Sequence, residues 1–155
     1  LSHENSKFKI NNAAIEKIKK TEKKMNLKSP LTFIKFIKDI VKVKTKLKKI
    51  IFKLKKKKKI IHGYGASTKG NVLLQFFNFN NNDINLIADR NPKKNGLYTP
   101  GTKIKIVSEE MSRSKMPDYY LVLPWHFKNE ILKREKNIIS KGTKFIFPLP
   151  KIKII

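Results

Sequence analysis

At 155 residues with a hydrophobic share of 39%, the chain is sized for one domain carrying an appended helical piece. It has no cysteine, which excludes disulfides and thiolate metal sites and fits a reducing, cytoplasmic setting. The net charge of +26 points toward polyanions, yet only Arg90, Arg113 and Arg134 among the 37 basic residues are arginines, the side chain that nucleic-acid readers favour. Lysine, isoleucine and asparagine rise together, the mark of an A/T-rich coding sequence, so no specific nucleic-acid partner is expected. No apolar run approaches the roughly 20 residues of a membrane-spanning helix. The opening LSHENSKFKI does not read as a secretory signal. The chain begins on Leu1, as a piece of a longer protein would.

Residues 1–59 hold one proline and no glycine and read as a basic helical segment packing on the domain after it. Asn12 is placed to cap a helix through AAIEKIKKTEKKM, with Ile15, Ile18 and Met25 as a thin apolar stripe. Ser29 and Pro30 open a second helix whose stripe runs Ile34, Ile37, Val41, Leu47, Ile51 and Leu54. Lysines fill its other face, and packing of the stripe on its own domain is favoured over a membrane surface.

Residues 60–155 carry all six glycines and alternate between periods. KIIHGY reads as a strand and STKGNVLLQFFN as a helix with Val72, Leu73, Phe76 and Phe77 on its apolar face. INLIAD is a strand, RNPKKNGLYTPGT a loop, KIKIV a strand and SEEMSRS a helical turn capped by Ser108. DYYLVLP is a buried strand, WHFKNEILKREKNIIS one helix, and KFIFPLP and KIKII close as strands. This succession predicts a Rossmann-like, doubly wound, mostly parallel α/β sheet over 60–155. Its carboxyl-end loops, 63–71, 89–101 and 124–126, fall on one edge.

The first of those loops, GYGASTKGN, hands a strand directly to a helix, and glycines there let backbone approach a phosphate. Asp89, about 20 residues on, stands where a ribose hydroxyl is accepted. A dinucleotide fingerprint would want glycine at 68, where the chain has Thr68, and Lys69 precedes Gly70, so this is not a P-loop either. A tight corner without ligand is the plain alternative to a phosphate site.

GYGASTKGN, DRNPKKNGLYTPGTKIKIVS, PDYYLVLPWHFKNEI and GTKFIFPLP, in this order, resemble the C-terminal domain of S-adenosylmethionine-dependent nucleotide-sugar C-methyltransferases over about residues 60–150. The resemblance implies a domain holding a nucleotide-sugar, dTDP-sugar-like, through its pyrophosphate. It implies that Tyr64, Gly65, Ala66, Ser67, Lys69, Gly70 and Asn71 face the pyrophosphate or its flanks. Asp89, Arg90, Tyr98, Thr99, Pro100 and Gly101 would form the neighbouring wall, and Pro124 and Trp125 would close the crevice. His126 departs from the pattern, which places Asn after the Leu-Pro-Trp corner. The family's zinc module and S-adenosylmethionine domain have no counterpart here, so no cofactor and no methyl transfer are expected of this chain alone, and the methyltransferase domain would act in cis or trans. No residue is singled out as catalytic. His3 falls in a terminal stretch, His62 inside the first strand and His126 at a helix start, while Glu109, Glu110 and Glu130 read as helix N-terminal charges. Two other readings stay open: an independent dinucleotide-binding Rossmann protein, and a basic polyanion or membrane-surface binder. Thr68 opposes the first, and the absence of aromatics between the lysines of 53–59 opposes the second.

Overall fold

The computed structural model describes residues 5–155, so His3 lies outside them. Those residues form two compact units, one ending at Val41 and the other spanning Lys42–Ile155. In the first, α1 (Asn12–Met25) is capped by Asn11, whose Oδ1 accepts the Ala14 N–H at 3.0 Å. The sequence placed that cap at Asn12, but Asn11 is the residue with non-helical backbone and Asn12 is already the first helical one. The helix ends at Asn26, which takes the left-handed conformation its short amide tolerates. A second helix, α2 (Pro30–Lys56), starts at a proline because its missing N–H would have had no intrahelical acceptor. Ile34, Ile37 and Val41, in the first unit, are exposed.

Within the second unit the rest of α2 has the opposite character: Leu47 and Ile51 are fully buried and Val43 and Leu54 half-buried against the core. That core is built on a sheet of β1 (Ile61–Tyr64), β2 (Ile87–Asp89), β3 (Ile106–Ser108), β4 (Tyr119–Val122), β5 (Lys144–Phe147) and β6 (Lys153–Ile154). Strand order is β3-β2-β1-β4-β5-β6; all pairs are parallel except β5 with β6. This is the order of a doubly wound Rossmann-like sheet, as the sequence predicts, with its topological switch between β1 and β4.

Side chains alternate across the strands and separate two apolar layers. On one face Ile61, Ile87, Leu121 and Ile146 meet Leu47 and Ile51 and the helix α3 (Thr68–Phe77). On the other, Tyr64, Tyr120, Val122, Phe145 and Phe147 meet α5 (Lys128–Arg134) and α6 (Lys136–Ser140). The short α4 (Glu109–Ser114) brings buried Ser112 to the same side. Its Oγ stands 2.8 Å from both His62 Nδ1 and the Tyr120 hydroxyl, so three buried polar groups satisfy one another. Burial, aided by Lys115, lowers the His62 pKa to about 4.

Two expectations need correcting. In α3 the buried side chains are Leu74 and Phe77 beside Gly70, whereas Val72 and Phe76 are exposed. A Cβ on Gly70 would stand 2.6 Å from Leu123 Cβ, so the glycine lets the helix sit close enough to β4 to turn Leu74 inward. Nor is 125–140 one helix: a 3-10 turn at Trp125–Phe127 leads into α5, and Glu135 interrupts the run before α6. Glu135 has left helical geometry and is only 2% exposed. Among the described residues no helix is long and apolar enough to cross a membrane.

Candidate functional site

The glycine turn leaves β1 at Tyr64. Gly65 has φ +82°, and a Cβ there would lie 2.8 Å from Pro124 Cδ. Glycine therefore serves both the left-handed bend and the close approach of the β1 and β4 loops, which any side chain would push apart. Most amides of the turn are already committed. Gly65 N–H donates to Ala88 O at 2.7 Å and Ala66 N–H to Asp89 Oδ2 at 2.7 Å. Ser67 caps α3, its Oγ accepting Gly70 N–H at 3.0 Å while its carbonyl accepts Asn71 N–H at 3.0 Å. The amides of Thr68 and Lys69 precede any intrahelical acceptor.

Asp89 also accepts Asn91 N–H at 2.8 Å and pairs with Lys94 Nζ at 3.2 Å, and Lys94 donates to Ala66 O at 2.8 Å. Its carboxylate thus staples the β1 and β2 loops together. Arg90 beside it is exposed and makes no ion pair among the described residues. Tyr64, Gly65, Ser67, Asp89, Arg90 and Pro124, six of the residues singled out in the sequence, come together on a cleft of about 500 Å³ at the switch point.

The far wall of this cleft is a charged cluster that the sequence reading missed. Buried Glu135 accepts from the Tyr64 hydroxyl at 2.7 Å, Arg113 Nη2 at 2.8 Å and Arg134 Nε at 3.1 Å on one oxygen. Glu109, at the start of α4, pairs with Arg134 at 2.6 Å and Arg113 at 3.0 Å. Arg134 Nη2 further donates to the Tyr64 hydroxyl, and the guanidinium lies 5.4 Å from that ring's centre. This convergence explains the helix break, because only a kink between α5 and α6 turns Glu135 inward. Burial raises the Glu109 pKa above the ordinary carboxylate range despite Arg113. Burial alone would lower Arg113, but Glu135 and Glu109 outweigh it and raise its pKa. The available signal was arginine itself: in a chain of lysines, two of the three arginines sit where fixed, branching donors are needed and the third stands on the cleft.

Other singled-out residues stand elsewhere. Lys69, Gly70 and Asn71 lie along α3 behind the turn; Gly70 packs on Leu123, and buried Asn71 Oδ1 has no hydrogen-bond partner among the described residues. Tyr98 to Gly101 form a turn of their own. Thr99 Oγ1 contacts Thr102 Oγ1 at 2.6 Å and accepts Ile104 N–H at 2.9 Å. Pro100 O accepts from Gln75 on α3 at 3.1 Å, and Tyr98 is exposed. Trp125 opens onto a second cleft of about 570 Å³, bounded by the start of α5 and the β5–β6 connection. The two clefts share Phe127 and Glu130. His126 belongs to the second, its ring 4.3 Å from that of Phe127 and 5.7 Å from Trp125.

Comparison with known proteins agrees with this architecture. The C-methyltransferase C-terminal domain family matches residues 1–150. The C-methyltransferase NovU of Streptomyces niveus is 38% identical over 97 residues, 63% of this chain. The match spans 23% of that relative's length. Matched over nearly its whole length, the chain belongs to the C-methyltransferase C-terminal domain family.

Proposed function

We propose that this chain is the substrate-holding part of a sugar C-methyltransferase: it binds a nucleotide-sugar at the switch-point cleft and leaves methyl transfer to a separate domain, in cis or in trans, in the cytoplasm. The observation that carries the reading is the meeting, on one cleft, of Ser67 at the N-cap of α3 and Arg90 just after β2, a guanidinium in no ion pair among the described residues. A helix N-terminus and a guanidinium are both donors suited to a diphosphate. With the Gly65, Ala66, Ser67, Gly70 and Asn71 amides committed inside the protein, Arg90 carries the anion and the turn shapes the space.

S-adenosylmethionine does not fit this cleft. Its sulfonium and amino group are cationic, whereas two of the three carboxylates on the lining, Asp89 and Glu109, are already engaged by Lys94, Arg113 and Arg134, leaving Glu130, and Arg90 would face the incoming charge.

Calorimetric titration with dTDP and a dTDP-sugar at about 0.15 M salt tests the reading, a condition that suppresses binding by diffuse lysine charge. Saturable one-to-one binding, weakened about tenfold by Arg90→Ala, is the expected result. Absence of heat at millimolar ligand overturns it, and tight NAD binding in its place would restore the dinucleotide reading.

A further inference from the structure

The described residues of the first unit, 5–41, include none that is buried, so this unit holds no core of its own. Its part of α2 is nevertheless apolar along one side. Phe33, Ile34, Phe36 and Ile37 are 46–62% exposed, and their three- and four-residue spacings make them neighbours on the helix surface. At about 100° per residue, they join Ile40 and Val41 in covering nearly half the circumference. Lys35, Lys38 and Asp39 fall on the other half. The charge of the unit is chiefly of one sign: α1 adds Lys17, Lys20 and Lys24, all exposed, and Lys28 follows between the helices. A contiguous exposed apolar face marks an interaction surface.

Charge decides what covers it. A second copy of the chain, itself at +26, sets lysine against lysine and is repelled. A protein groove can receive the apolar half of a helix but leaves the lysine half in water. The surface of an anionic bilayer meets both halves: acyl chains take up the phenylalanines, while acidic headgroups draw the lysines, whose long stems reach outward to them. Among the described residues no helix is long and apolar enough to cross a membrane, so the helix lies in the surface. We propose that residues 30–41 of α2 bind the surface of an anionic membrane, with Phe33, Phe36 and Ile37 entering between the lipids and Lys35 and Lys38 meeting their headgroups. The chain thereby has a second function, peripheral membrane attachment, carried by residues outside the sheet and its clefts.

The test sediments the whole chain with vesicles of phosphatidylcholine, alone or with about one third phosphatidylglycerol, at about 0.15 M salt. Binding to the anionic vesicles only is the expected result. The double variant Phe33→Ser, Phe36→Ser should weaken it about tenfold or more and leave the urea midpoint unmoved, since neither side chain is buried. Trp125 is the sole tryptophan, so Phe36→Trp in a Trp125→Phe background puts the only indole on this face. Its emission should move to the blue on the anionic vesicles. Binding that the double variant leaves intact, with unmoved emission, is diffuse lysine attraction and overturns the proposal. Absence of binding overturns it too and leaves the face to an acidic protein. A lipid-free dimer that the double variant abolishes gives the face to a second copy and overturns it as well. None of these outcomes bears on the nucleotide-sugar reading.

Discussion

The two clefts lie on the same edge of one sheet and are lined by similar numbers of basic groups, yet they handle charge in opposite ways. Lys94 and Arg134 on the first are locked to Asp89 and Glu109, and Arg113 behind them to Glu109 and Glu135, leaving Arg90 outside the network. Lys128, Lys151 and Lys153 on the second make no ion pair among the described residues. Formal charge, so prominent in this chain, therefore says little about charge available to a ligand. The first cleft is held in shape by its ions; the second is bounded by aromatic side chains and by lysines in no ion pair among the described residues.

If that contrast is right, breaking the ionic wall costs fold stability and breaking the lysine wall does not. The largest effect is expected from Glu135→Ala, which leaves Arg113 and Arg134 short of a buried partner and the Tyr64 hydroxyl without its acceptor: a loss of about 3–5 kcal/mol in urea denaturation. Gly70→Ala should cost about 1–3 kcal/mol by the same measurement, because the added methyl meets Leu123 Cβ and the helix must back away from β4. Ser112→Ala removes the hydroxyl shared by His62 and Tyr120 and should cost about 1–3 kcal/mol. Lys151→Ala should fall within about 0.5 kcal/mol of wild type, being an exposed side chain in no ion pair among the described residues. Comparable losses from Lys151→Ala and Glu135→Ala would erase the distinction between the clefts.

The buried His62 sharpens the contrast through pH. Its pKa is about 4 in the folded chain against about 6.5 unfolded, so only the unfolded state takes up a proton between those values. Its contribution to stability is therefore full above pH about 6.5, falls as pH drops toward 4 and is constant below that. Denaturation midpoints of wild type and His62→Gln, followed from pH 8 to 4, should converge or cross as acid removes the advantage of the histidine. Parallel curves would show that the ring is not held neutral by burial.

Much of the fold is legible in the sequence. Apolar alternation and the placement of Gly65, Ser67 and Ser108 announce the strand-turn-helix units, and right-handed crossovers then put the three loops on one edge. What escapes is non-local. Nothing in KREKNII marks Glu135 as a buried acceptor, because its partners Tyr64, Arg113 and Arg134 come from β1, α4 and α5. The orientation of α3 depends on how closely Gly70 meets Leu123, 53 positions away in the chain by their numbers. Trp125 sits next to Pro124 in sequence, but the 3-10 turn swings it into a different cleft.

The most direct test of the central claim is an amide chemical-shift map of the labelled chain titrated with dTDP at about 0.15 M salt. Shifts concentrated from Tyr64 to Ser67, at Arg90 and Asn91, and at Phe127 and Glu130 are the expected result. Shifts spread along the lysines of α2 and fading as salt rises would contradict it.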